Sequence, residues 1–178
     1  MDSVRRGVLG IDPGTARTGY GLVAEDASGE AQLVGYGVFQ TKAGLPMPER
    51  LLTLYRSLSA LIREAHPEAL AVEEIFFSRN VTTALTVGQA RGVVLLAAAQ
   101  AGLPVFEYKP AQVKQALVGY GGASKTQMQE MVRMMLGLAE IPRPDDAADA
   151  IAVGICHLHS QRLQQLINTE IASVLRGS

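Results

Sequence analysis

The 178 residues, 48% of them hydrophobic, suffice for one substantial core, so a single domain spanning 1–178 is expected, with the stretch after about residue 160 unassigned. One cysteine, Cys156, excludes an internal disulfide, disfavours a cysteine-built zinc site and suits a reducing cytoplasm; no run of about 18 uninterrupted apolar residues and no leader pattern is read, so no membrane span is expected. A formal charge of −1, from 16 basic and 17 acidic residues, argues against binding nucleic acid by net positive charge alone.

In chain order, Gly7-Val8-Leu9-Gly10-Ile11-Asp12 is a short apolar run that ends in an acid at the turn Pro13-Gly14-Thr15, the pattern of a buried strand with a functional tip. Strands are predicted over Thr18–Ala24 and Gln32–Gln40, the latter with Val34, Tyr36 and Val38 at period two, and with the first they suggest a meander. Leu51, Leu52, Leu54, Tyr55, Leu58, Leu61 and Ile62 recur at three and four, which predicts an amphipathic helix over Pro48–Ala65 that stops before Pro67. Ala69-Leu70-Ala71-Val72-Glu73 is a second apolar strand ending in an acid. A helix rich in Ala and Leu follows over Asn80–Ala101, then a strand over Leu103–Tyr108 and helices over Lys109–Val118 and Ser124–Leu138, the last with Ser124 as N-cap. A final helix is predicted from Pro144 through His159. Three strands followed by alternating helices and strands imply an α/β sheet with an antiparallel edge and parallel members joined by right-handed crossovers.

Asp12 and Glu73 each close an apolar strand, and if those strands are neighbours both carboxylates leave one edge of the sheet. Taken singly, either is as readily a solvated strand end as a functional group. Asp146 and Asp149 share a helix face at i and i+3, although acids in a first helical turn also simply meet the positive end of the dipole, which is reading enough for Asp145. Asp149 lies among Ala147, Ala148, Ala150, Ile151 and Ala152, and a buried acid there needs a partner. Four carboxylates with few bases beside them repel unless cations compensate them, and hard oxygen donors select Mg²⁺ or Mn²⁺ rather than zinc. Two such ions can activate water and stabilise the leaving oxygen of a phosphodiester. Reserving four acids for them leaves 13 acids against 16 bases, so DNA binding then depends on where the bases lie. His66, His157 and His159 are weaker candidates for a base or ligand. The loop from Asp12 to Gly19 also has the phosphate-cradling look of sugar kinases and actin-like ATPases, but 178 residues supply one of the two lobes those need.

Gly10-Ile11-Asp12-Pro13-Gly14 with Gly19-Tyr20-Gly21, Ala71-Val72-Glu73-Glu74-Ile75-Phe76, Gly88-Gln89-Ala90-Arg91-Gly92, Val105-Phe106-Glu107-Tyr108, Gln112-Val113-Lys114-Gln115 and Asp146-Ala147-Ala148-Asp149-Ala150 together resemble the RuvC Holliday-junction resolvases, in the family's order and up to about His159. The resemblance implies an RNase H-like mixed five-stranded sheet flanked by helices, and Asp12, Glu73, Asp146 and Asp149 as catalytic, metal-binding acids for Mg²⁺ or Mn²⁺, two per site. It implies a cytoplasmic homodimer that nicks symmetric strands of four-way junction DNA beside the branch-migration proteins RuvA and RuvB. The apolar helix after Asn80 is the natural dimer face on this view, and a buried core helix on the other. Lys114, Lys125 and Arg79 are then expected near DNA phosphates, and Phe76 and Phe77 beside the acids, one stacking on unpaired bases and Phe77 equally open to core packing. Two alternatives stay open: an RNase H-like nuclease for another nucleic acid, and a junction-binding protein without chemistry.

Overall fold

The computed structural model describes residues 7–74 and 81–176. Its first strand, β1 (Val8–Asp12), pairs antiparallel with β2 (Arg17–Glu25), and β2 with β3 (Ala31–Gln40), completing the expected meander. A helix, α1 (Met47–Ala65), then crosses to β4 (Ala69–Glu73), which lies parallel to β1; α2 (Val81–Gln100) leads to β5 (Val105–Tyr108), parallel to β4. The strand order is β3-β2-β1-β4-β5. Three helices complete the chain: α3 (Pro110–Val118), α4 (Lys125–Met135) and α5 (Asp145–Arg176).

Alternation along the strands divides the core into two layers. Leu9, Ile11, Leu70 and Val72 point to one side, where they pack with Leu58 and Ile62 of α1 and Val94, Ala97 and Ala98 of α2. Val8, Ala71 and Tyr108 point to the other, against Val113 and Leu117 of α3, Met128 and Val132 of α4 and Ile151, Ile155 and Cys156 of α5. Burying each large aliphatic side chain stabilises the fold by roughly 1.5–3 kcal/mol. Cys156 is 1% exposed and burial pushes its thiol up to about 11, the state of a small hydrophobe rather than a nucleophile.

Local chemistry accounts for the helix ends. At α4, Ser124 Oγ accepts from the Gln127 amide while Gln127 Oε1 accepts from the Ser124 amide, a reciprocal cap. At α3, Pro110 occupies the first turn and Gln112 Oε1 accepts from the Lys109 amide. Helix α1 ends at His66 in the left-handed conformation, just before Pro67.

Three features differ from expectation. In β3 Val34 and Tyr36 are exposed, while Leu33 packs against the α5-side layer and Phe39 against the α1–α2 layer, stacked on Tyr20 at 4.8 Å; a register shift against β2 at Leu22/Val23 turns the strand's alternation over between them. Residues Thr82–Gln100 of α2 are long and apolar enough to cross a membrane by length and composition, because Gly, Thr and one Arg interrupt but do not outweigh the aliphatic residues. Here Ala84, Ala90, Val94, Ala97 and Ala98 are buried within the chain, and Arg91 pairs with Glu107. The last helix does not stop at His159 but continues to Arg176, and residues 160–171 are exposed all round.

The tightest packing is α5 on β1 and β2. A Cβ at Gly10 would stand 2.1 Å from the Ala150 carbonyl oxygen, so only glycine lets the helix backbone lie directly on the strand. Gly10→Ala is therefore expected to destabilise the protein by at least about 1–3 kcal/mol, read as a lower urea midpoint. An unchanged midpoint would show that α5 can lift off the sheet freely.

Candidate metal centre

The parallel register sets Gly10 beside Ala71 and Ile11 beside Val72, so Asp12 and Glu73 form the next rung at adjacent strand ends, roughly 5 Å apart along the backbone. Both share the parity of Val8 and Ala71 and so leave the sheet on its α5 side. Opposite Asp12 on β2 is Gly19, where a Cβ would meet the Asp146 carbonyl oxygen at 1.9 Å. That gap admits the first turn of α5, and with it Asp146 and Asp149.

Asp12, Glu73 and Asp149 line a cavity of about 280 Å³ together with Lys114 and Lys125, walled by Val113, Met128 and Ala152. Burial, then Asp149, Asp146 and Glu73, raise Asp12 from 3.8 to about 7. Burial also raises Glu73, and raises Asp149 in spite of its bond to Lys125. Asp146 belongs to the same electrostatic group but not to the cavity lining; its Oδ2 faces Arg17 Nε at 3.1 Å. That contact is an ion pair without hydrogen-bond alignment, which leaves a buried carboxylate oxygen without a hydrogen-bond partner.

The expectation of few neighbouring bases is corrected here. Lys125 Nζ donates to Asp149 Oδ2 at 3.0 Å and stands 3.5 Å from Asp145, Arg17 faces Asp146, and Lys114 lowers Glu73 against its burial. Lys114 and Lys125, expected near phosphates, thus line the carboxylate cavity itself. The donors are all oxygens, three of them on carboxyls lifted by crowding and burial, which fits a hard divalent cation. Among the described residues no three such groups stand close enough to hold one ion, and the two α5 acids are engaged by Lys125 and Arg17.

The histidines take no part. His157 is buried, its Nδ1 2.7 Å from the Tyr108 hydroxyl and its ring 4.3 Å from that of Phe106, and burial pushes it down to about 4. His159 Nδ1 meets the Ala116 carbonyl oxygen at 3.1 Å, and His66 caps α1. In the loop after Asp12, the Gly14 amide donates to Thr18 Oγ1 at 3.3 Å and Thr18 Oγ1 donates to the Gly14 carbonyl at 2.7 Å, so this turn is internally bonded rather than an open anion nest. Phe76, Phe77 and Arg79 lie outside the described residues. Sequence reasoning missed Arg17 as part of this group; its signal was period two with Gly19 and Gly21, the residues over which α5 lies.

A profile of the RuvC family, described as crossover junction endodeoxyribonuclease RuvC, matches residues 8–157. The chain is 64% identical over 152 residues, 85% of its own length and 92% of the relative's, to the crossover junction endodeoxyribonuclease RuvC of Chloroflexus aggregans. It is also similar to the solved structure of Thermus thermophilus RuvC in complex with Holliday junction substrate, at 43% identity and a TM-score of 0.84, covering 90% of this chain and 97% of that one. At 16% identity and a TM-score of 0.63, the yeast mitochondrial Holliday junction resolvase Ydc2 shares the fold.

A carboxyl near 7 in the fold and near 4 when unfolded binds more protons folded, so its contribution weakens stability as pH rises from about 4 to 7. Without divalent ions, Asp12→Asn is expected to exceed the parent in stability by about 2–4 kcal/mol at pH 8, the gap closing towards pH 4. Denaturant midpoints across that range test it; a gap independent of pH would mean that Asp12 is not crowded.

Proposed function

The chain belongs to the RuvC family of crossover junction endodeoxyribonucleases, and on that premise we propose how its residues resolve a Holliday junction. The activity is structure-selective, divalent-metal-dependent hydrolysis of DNA phosphodiesters. Asp12, Glu73, Asp146 and Asp149 serve as the ligand set. The observation that carries this assignment is the shared rung of Asp12 and Glu73, faced across one cavity by Asp149.

Mg²⁺ or Mn²⁺, two per site, would supply positive charge to the scissile phosphate and a water ionisable near neutral pH. Everything else is the work of the chain. Asp12 and Glu73, on rigid strand ends, fix the position of the cluster, and Asp146 and Asp149 close it from the helix. Lys114 and Lys125 draw phosphate towards the cavity, while Val113, Met128 and Ala152 keep one wall apolar and strengthen charge interactions inside. Phe76, Phe77 and Arg79, which follow β4 in the sequence, are assigned to DNA contact, one Phe stacking on unpaired bases. One nuclease domain acts throughout, since both core layers share the same sheet.

The active form is a cytoplasmic homodimer on four-way junction DNA, with RuvA and RuvB as partners. Helix α2 supports the dimer: Leu85, Gly92 and Leu96 lie exposed at spacings of seven and four, and a Cβ at Gly88 or Gly92 would meet nothing within 4 Å. Interior helix glycines cost about 1 kcal/mol each, and here no described residue uses the room they leave. A second α2 approaching closely would use it, and a two-fold axis then presents two sites to symmetric strands.

Asp12→Asn and Glu73→Gln are each expected to lose at least about 100-fold in junction cleavage with junction affinity kept. Gel assays on a synthetic four-way junction, a linear duplex and an RNA–DNA hybrid check this; parent-like nicking by both variants defeats the ligand roles, and preference for hybrid or duplex defeats the substrate. Gly88→Leu with Gly92→Leu is expected to leave monomers in sedimentation, whereas dimers of undiminished affinity would place the interface elsewhere.

A further inference from the structure

We propose that Arg17 is a phosphate-binding residue held in reserve by Asp146 and set free when a divalent cation takes up the carboxylates. The inference rests on the metal centre proposed above and adds to it a coupling between cation and DNA.

Arg17 opens β2 at the sheet edge where Asp12 ends, and alternation puts it on the α5 side with Gly19 and Gly21. Its side chain is 51% exposed, so its guanidinium is within reach of a ligand at the rim. Its ion-pair partner among the described residues is Asp146, whose Oδ2 receives charge from it but no aligned hydrogen bond.

Lys125, which like Arg143 also engages acids of α5, is held differently. It makes a directed bond to Asp149 and also stands 3.5 Å from Asp145, so losing Asp149 to a cation leaves it a counter-charge, one it shares with Arg143. Among the described residues Arg17 forms no ion pair with a second acid. An ion pair with a half-exposed guanidinium and no hydrogen-bond alignment adds little stability and yields to a divalent ion on the same oxygen. The guanidinium is then uncompensated beside the substrate path, and its planar fork matches a phosphate. Cation binding therefore raises affinity for DNA, and by reciprocity DNA raises affinity for the cation.

The test compares the unmodified protein with Arg17→Gln and Arg17→Lys. Calorimetry with Mn²⁺ alone is expected to show about two- to tenfold tighter binding in Arg17→Gln, because the competing charge is gone. Junction affinity is then measured against salt concentration, with Ca²⁺ and with EDTA, cleavage being checked on denaturing gels. In the parent, the slope gained on adding Ca²⁺ should exceed that of Arg17→Gln by about one phosphate contact, roughly 0.9 in log–log slope, and Arg17→Lys should keep most of the gain. Equal gains in parent and Arg17→Gln, or weaker Mn²⁺ binding by Arg17→Gln, overturn the proposal while leaving the metal centre standing. Absence of Mn²⁺ binding by the parent removes the metal centre itself, and this coupling with it.

Discussion

Everything at the carboxylate cluster depends on a contact of backbone against backbone. Helix α5 lies on β1 and β2 with no side chain between them at Gly10 or Gly19, where a single added carbon would stand 2.1 and 1.9 Å from carbonyl oxygens of the helix. At that distance the position of the first helical turn is set by the strands themselves. Two acids on a helix and two on strand ends are thereby brought to one place although more than 130 residues separate the first from the last.

The cluster so formed is costly in isolation. Burial and mutual repulsion raise Asp12 to about 7, and Glu73 and Asp149 also rise. Nearby bases relieve part of this, yet none is a permanent partner of Asp12. Arg17 acts on Asp146, Lys114 on Glu73, and Lys125 on Asp149 and more weakly on Asp12, which forms no ion pair with a described residue. The strand carboxyl at the centre remains the least compensated, which is the arrangement of a site built to receive positive charge rather than to stay neutral by its own means.

Much of this was legible in the chain. Apolar runs closed by acids gave β1 and β4, Ser124 as N-cap gave the start of α4, and the three-and-four spacing that includes Leu54, Leu58 and Ile62 gave α1. These are signals carried within a few residues. What escaped was set by register. Leu33 and Phe39 serve opposite layers of the sheet because a register shift against β2 interrupts the alternation of β3, and nothing within the strand marks that shift. The bases beside the acids were likewise invisible, since Arg17 and Lys125 come from elements whose nearness to α5 is a tertiary fact. The length of α5 past His159 escaped for a different reason: its exposed continuation carries no buried stripe to read.

The five strands also act as a partition. The carboxylates and their lysines open on the side of α3, α4 and α5, whereas α1 and α2 occupy the reverse, and the two hydrophobic layers consist of different residues from each strand. Whatever associates with α2 is insulated from the chemistry by the thickness of the sheet. Changes on the reverse side are thus free to alter how the molecule assembles while the geometry of cutting is left as it was.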